Sequence, residues 1–230
     1  MSGYQSKHGN GDRRDKNKID PLQARTMRLG SLIKLRPEYE ERYIILHKHT
    51  FPGVLERIRQ SNIRNYSIYL RNGILFSYYE YRGENFDRDM ARIGEDPVTQ
   101  DWWKLTDPMQ EPMESRKKGE WWAAMDEIFH WEGMYESPEN ARRLACTAHL
   151  LKGVEERVIE SFKVAYPILA EAADWKVVRN FSVFHKDGCF CWYLEFFDKN
   201  STTNIKKLQE NLKVEDELDW EPMKEVFHTD

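Results

Sequence analysis

The sequence predicts an α+β chain in which two ferredoxin-like β-α-β-β-α-β repeats form an intrachain pseudo-dimer of the dimeric α/β-barrel type. Three observations predict it. The chain repeats itself, each copy reads strand, helix, hairpin, helix, strand, and an antiparallel sheet with helices on one face must bury its other face. Residues 40–52 (EERYIILHKHTFP) lie over 155–167 (EERVIESFKVAYP) with six identities in thirteen positions at an offset of 115. The same offset sets RNYSIY (64–69) over RNFSVF (179–184), Gly73 over Gly188 and Glu80 over Glu195, giving thirteen identities across 40–81. The register then breaks and resumes at 98, where DEIFH (126–130) lies over KEVFH (224–228), so the first copy is 17 residues longer in its last third. Such self-similarity marks a duplication.

Each copy opens on a short apolar strand, Ser31–Arg36 or Arg143–Leu151. A helix starts at Pro37, a favourable first-turn residue, and runs to about Gln60; Pro52 should kink or interrupt it, and Pro167 should do the same to its counterpart. Runs 63–70 and 74–82 are β-branched and aromatic, and the Asn72-Gly73 dipeptide between them signals a hairpin, as Asp187-Gly188 does in the second copy. A helical region over 84–106, broken at Asp96-Pro97, leads to a last strand, Met125–Trp131, that should close its own unit. The expected organisation is a basic tail (1–28), a first repeat (29–131), a linker (132–142) and a second repeat (143–230).

Composition bounds the function. The 230 residues carry a net charge of −4, yet the first 28 hold seven basic and three acidic side chains. The body is therefore acidic, which argues against nucleic-acid binding, since no broad cationic surface is left to displace counterions from phosphates. No apolar run is long enough to span a membrane, and no secretory leader is visible. Three cysteines, two of them as Cys189-x-Cys191, make neither a zinc framework nor a convincing disulfide set, and predict a reducing, cytoplasmic compartment. Aromatics reach 13%, with 8 Trp and 11 Tyr, enough to furnish a flat-faced ligand site as well as a core.

Duplication supplies an internal control. Opposite His47 stands Phe162, opposite Tyr43 Val158, opposite Tyr66 Phe181 and opposite His49 Val164. Every lost group is polar and every replacement apolar. The scaffold positions Pro52/Pro167, Arg64/Arg179, Asn65/Asn180 and Gly73/Gly188 persist. The fold thus accepts phenylalanine where the first copy has histidine, which makes the first copy the candidate site and the second a scaffold. Tyr43 and His47 are four apart, on one helix face and close enough to hydrogen-bond. His47 and His49, two apart on a helix, point in different directions and cannot share a metal. The tandem Trp121-Trp122 reads as packing.

At these residues the first copy resembles the L-rhamnose mutarotase family. Three blocks carry the resemblance in order: Tyr43-x-x-x-His47-x-x-x-Phe51-Pro52, Asn65-Tyr66-Ser67-Ile68-Tyr69-Leu70 and Trp102-Trp103-Lys104, spanning about residues 30–131. The resemblance implies a small sugar epimerase without cofactor or metal, with His47 as proton donor and Tyr43, Tyr66, Trp102 and Trp103 in contact with a monosaccharide. The sequence departs from the family at Phe51, where tryptophan is usual, in the stretch Asp107–Gly119, and in joining two units on one chain. The expected reaction is anomer interconversion of L-rhamnose or a related 6-deoxy sugar, with His47 protonating the ring oxygen and Tyr43 or Tyr66 relaying the anomeric proton. The competing readings are a non-catalytic sugar-binding or regulatory protein and a haem-degrading monooxygenase on the same barrel. Partners are a sugar, no nucleic acid and no membrane, with further oligomerisation left open.

Overall fold

The apolar, β-branched and aromatic runs build two antiparallel sheets in the computed structural model, which describes residues 26–133, 141–149, 155–162, 178–197 and 220–230. The chain is an α+β protein of the ferredoxin-like type. Strand β1 (Met27–Leu35) starts two residues inside the stretch read as tail. Residues 1–25, most of the expected linker and the second helical region of the second half lie outside the described residues.

The first helix is three pieces. Pro37 opens a 3-10 turn (Pro37–Tyr39), α1 runs Glu40–Lys48, and α2 runs Pro52–Gln60. The helix is interrupted at Pro52, as expected, and the proline sits in the first turn of a new helix, where a missing N–H costs nothing. The Thr50 hydroxyl donates to the His47 carbonyl at 2.9 Å and satisfies an orphan acceptor at the end of α1. Strands β2 (Ile63–Arg71) and β3 (Ile74–Tyr81) follow. Asn72 and Gly73, at φ 49° and 73°, make the left-handed turn that such a hairpin requires. Helices α3 (Phe86–Glu95) and α4 (Pro97–Thr106) are capped by Asn85 and Asp96, whose side chains accept from the Arg88 and Thr99 amides. Arg57 pairs with Asp96 at 3.2 Å and so ties α2 to the start of α4.

The remaining strands are β4 (Gln110–Glu111), β5 (Ala123–Ala124), β6 (Asp126–Glu132), β7 (Arg142–His149), β8 (Val178–Lys186), β9 (Cys189–Phe196), β10 (Glu221–Pro222) and β11 (Lys224–Thr229). One sheet has the order β11-β2-β3-β1-β4, with β5 also on β1; the other has β10-β7-β9-β8-β6. Here the sequence expectation is corrected. Residues 126–132 do not close their own unit: β6 pairs with β8 of the second sheet, and β11 pairs with β2 of the first. The edge of β1 away from β3 carries the two-residue strands β4 and β5, and the edge of β7 away from β9 carries the equally short β10. Each long last strand crosses over.

The sheets meet face to face. Leu32, Tyr69, Phe76 and Tyr78 of one pack with Ala145, Phe184, Cys189, Cys191 and Tyr193 of the other. Gly30 has no side chain because a Cβ there would lie 2.7 Å from the Phe184 ring. A polar seam runs through this interface. The Tyr78 and Tyr193 rings stack at 3.8 Å and 10°. Asn65 donates to both Glu80 and Glu195, and Asn180 donates to Tyr78 and Glu80. Arg82 pairs with Glu80, and the buried Arg179 with the buried Glu195. Each buried carboxylate therefore has a guanidinium and amide donors, as burial of charge demands. Asn65 adopts φ 51° at the bulge between Arg64 and Ser67, a conformation asparagine tolerates.

Among the described residues no helix is long and apolar enough to cross a membrane. Replacing Glu195 by alanine leaves Arg179 buried without its counter-charge and should cost about 3–5 kcal/mol of stability, read as a lowered midpoint in urea unfolding.

Candidate functional site

Between α1, α4 and the outer face of the first sheet lies a cavity of about 510 Å³. It is large enough for a small organic ligand and is lined mainly by aromatic and aliphatic side chains. All five residues singled out in the sequence line it: Tyr43 and His47 from α1, Tyr66 from β2, Trp102 and Trp103 from α4. Their elements explain the convergence. Positions 43 and 47 are the buried stripe of α1, and Tyr66 shares a strand face with Ile68, which also lines the cavity. Trp102 is buried and Trp103 is 38% exposed, so the tandem pair forms one wall and part of the mouth. His49 is exposed just past the end of α1.

His47 is the chemically distinctive member. Its Nδ1 lies 3.0 Å from the Tyr43 carbonyl oxygen. A carbonyl can only accept, so Nδ1 carries the proton and Nε2 of the neutral ring keeps its lone pair. The expected side-chain hydrogen bond between Tyr43 and His47 is replaced by this backbone bond and by ring packing at 4.0 Å between centroids. Trp102 at 5.2 Å and Phe227 at 5.8 Å meet the imidazole edge-on. Burial in this aromatic shell lowers its pKa to about 4, against a smaller upward pull from the Tyr43 carbonyl. At neutral pH the ring is uncharged.

The phenols are held protonated. Burial, then Tyr66 nearby, pushes the Tyr43 hydroxyl well up. Burial and Tyr79 do the same to Tyr66, and burial raises Tyr79 to about 12. Asp107 is the single carboxyl of the lining, its pKa raised by burial, and no lysine or arginine joins it. A cavity with hydroxyl, imidazole and flat aromatic surface but no cation suits a neutral polyhydroxylated ligand better than an anion. Among the described residues no three His, Cys, Asp or Glu side chains are grouped to hold a metal.

Several lining residues escaped the sequence reading. Phe227 reaches His47 and, at 5.5 Å, Tyr66 because β11 crosses to the first sheet. The KEVFH segment was visible as a repeat of DEIFH, but a strand exchange leaves no mark in periodicity. Trp121 and Trp122, read as packing, line the cavity with Gln110 and Asp107. Trp121 is 44% exposed, and its indole N–H donates to Gln110 Oε1 at 2.8 Å. The polar Gln110 side chain, itself buried, donates to the Tyr43 hydroxyl at 3.1 Å.

On the second sheet the matching positions are filled. Val158, Phe162 and Phe181 are fully buried in one apolar cluster with Phe129. Phe129 lies 6.1 Å from Phe162 and 5.7 Å from Phe181, close to the spacings of Phe227 from His47 and Tyr66.

Comparison with known proteins bears on the part of the chain that carries this cavity. The family model for L-rhamnose mutarotase matches residues 28–131. The L-rhamnose mutarotase of Listeria monocytogenes is 30% identical over 84 residues, 36% of this chain and 78% of that protein. That of Lactiplantibacillus plantarum is 26% identical over 106 residues, 45% of this chain and 97% of that protein. Among solved structures, a protein from Fusobacterium nucleatum provisionally assigned as a monooxygenase superposes with a TM-score of 0.54 at 8% identity, covering 89% of this chain and 94% of its own. One from Lactobacillus acidophilus with the same provisional assignment reaches 0.51 at 7%, covering 88% and 95%. At such identities these two structures speak to the fold alone.

Phe227→Ala should open the imidazole to water and move the His47 pKa upward from about 4 toward 6.5, followed by NMR titration of the ring.

Proposed function

The chain belongs to the L-rhamnose mutarotase family, and from that membership we propose that it interconverts the α and β anomers of L-rhamnose or a related 6-deoxy aldose, in the cavity around His47 and without a cofactor. The observation that carries the reading is the neutral imidazole with a bare Nε2, set among phenols in an aromatic cavity.

Mutarotation opens a hemiacetal and recloses it on the other face of the carbonyl. The anomeric hydroxyl loses a proton as the bond from C1 to the ring oxygen breaks, and the ring oxygen gains one. His47 Nε2, unprotonated, is the base for the first transfer. This reverses the starting role the resemblance implied, because burial leaves the imidazole no proton on Nε2 to give. Tyr43 is the acid: its hydroxyl is protonated and its ring packs on the imidazole at 4.0 Å. A phenol made weakly acidic by burial is well matched to an alkoxide leaving group, which is more basic than a phenolate. The open form then faces an imidazolium and a phenolate. Rotation about C1–C2 presents the other face of the aldehyde, and both protons return as the ring closes, so the enzyme is restored in one cycle.

Tyr66 and the face of Trp102 bound the sugar, and Trp103 covers it from the mouth. Flat indole faces suit the C–H side of the ring and the methyl group of a 6-deoxy sugar. The filled counterpart on the second sheet, where Phe162 stands for His47, casts the described part of the second half as a scaffold that lends Phe227. In this reading the halves are a tandem pair, and the neighbouring folds place no oxygen chemistry on this chain.

His47→Ala should lower anomer exchange of L-rhamnose, measured by saturation-transfer NMR, by about 10²–10⁴-fold. Phe162→Ala, after correction for lost stability, should leave it intact. The parent rate should be level from pH 8 to about 5.5 and fall on approach to about 4, where Nε2 takes up a proton and ceases to be a base. Full exchange by the His47 variant would overturn the assignment.

A further inference from the structure

We infer that Gln110, locked by Trp121, is a positioning residue that aims the Tyr43 proton into the cavity, a reading that rests on the proposed sugar site and refines it. The argument follows donor inventories. An indole N–H can only donate, so the atom of Gln110 that meets Trp121 Nε1 at 2.8 Å is the amide oxygen. The amide nitrogen is thereby turned toward Tyr43 Oη, at 3.1 Å. An amide NH₂ can only donate as well, so Oη must accept with a lone pair, and the hydroxyl proton has to point elsewhere. Among the described residues Tyr43 Oη has no acceptor, and Tyr43 lines the cavity. A side chain of ambiguous orientation is thus set by one donor at its far end, and a hydroxyl that could serve either way becomes a donor to the ligand.

The surroundings support this. Gln110 is 5% exposed, so water does not scramble its bonds. Its backbone is fixed by pairing with Leu35 in the first sheet, and its carbonyl accepts from Arg36 Nε at 3.4 Å. The ionisable groups facing Tyr43 are His47 on its own helix, Tyr66 on β2 and Asp107 in the turn before Gln110. Asp107 is the only carboxylate among them.

Gln110→Glu tests the direction of the proton with almost no change of shape. Ionised, the introduced carboxylate would accept from both Trp121 and Tyr43, pulling the hydroxyl proton out of the cavity. Protonated, it would offer an O–H to Tyr43 Oη and restore the original pattern. At pH 8 the variant should exchange L-rhamnose anomers about 10- to 100-fold more slowly than the parent, with KM within about threefold. The deficit should shrink as the pH falls to 5.5, a range over which His47 stays unprotonated in the parent. Trp121→Phe keeps an aromatic at a half-exposed site but frees the amide to turn over, and should lose several-fold in kcat at every pH. A Gln110→Glu variant as fast as the parent at pH 8, or slowed equally at all pH values, would overturn the inference, as would an unaffected Trp121→Phe if the first variant fails to fold. If the parent binds L-rhamnose without exchanging it, the mutarotase reading fails, while a pH contrast of up to about threefold in the Kd of Gln110→Glu, absent from the parent and read by calorimetry, still decides the orientation.

Discussion

Two buried carboxylates hold this molecule in register. Glu80 and Glu195 lie where the sheets face one another, and an ionised carboxylate at that depth is tolerable only with a guanidinium and several N–H groups around it. The partners come from both halves: Asn65 reaches across to Glu195, and Asn180 reaches back to Glu80. Because these bonds have direction, they allow one relative placement of the sheets, which apolar contacts alone would fix less sharply. The stacked Tyr78 and Tyr193 rings mark the same axis. With the sheets so placed, β11 meets β2 in the register that sets Phe227 beside Ile68, and the cavity gains its last wall.

Burial is also what gives the candidate site its character. The imidazole is held neutral, and the phenols protonated, by one cause: removal from water among indole and phenyl rings. Charged forms are penalised on both sides of neutrality, so the resting cavity is electrically quiet apart from Asp107. In the proposed reaction, proton transfer would create charge only when a ligand brings acceptor and donor together, and the adjacent Tyr43 and His47 rings would then carry opposite signs in contact.

Much of this was legible in the sequence, and the reasons differ by residue. Tyr43, His47 and Tyr66 stood out because the second half writes apolar residues at the same columns, and all three line the cavity. Asn72-Gly73 and Asp96-Pro97 fell where expected because turn and cap chemistry is local. Strand partners are not local. Asp126–Glu132 has the pattern of a half-buried strand whichever sheet it joins, so its exchange with β11 was hidden. Trp121 and Gln110 escaped for other reasons. Gln110 sits where the register between the halves is broken and the internal control is silent, and Trp121 belongs to an adjacent tryptophan pair that in sequence reads as packing.

Because β11 supplies Phe227, the ligand chamber is assembled from residues nearly the whole chain apart. A ribosome releases the imidazole's helix long before the phenyl ring that encloses it. Until then the nascent first half would hold its aromatic trough open along one side, with the β2 edge unpaired there. Any premature stop just ahead of residue 224 would therefore yield a protein with every polar group of the site in place and no enclosure to hold them dry.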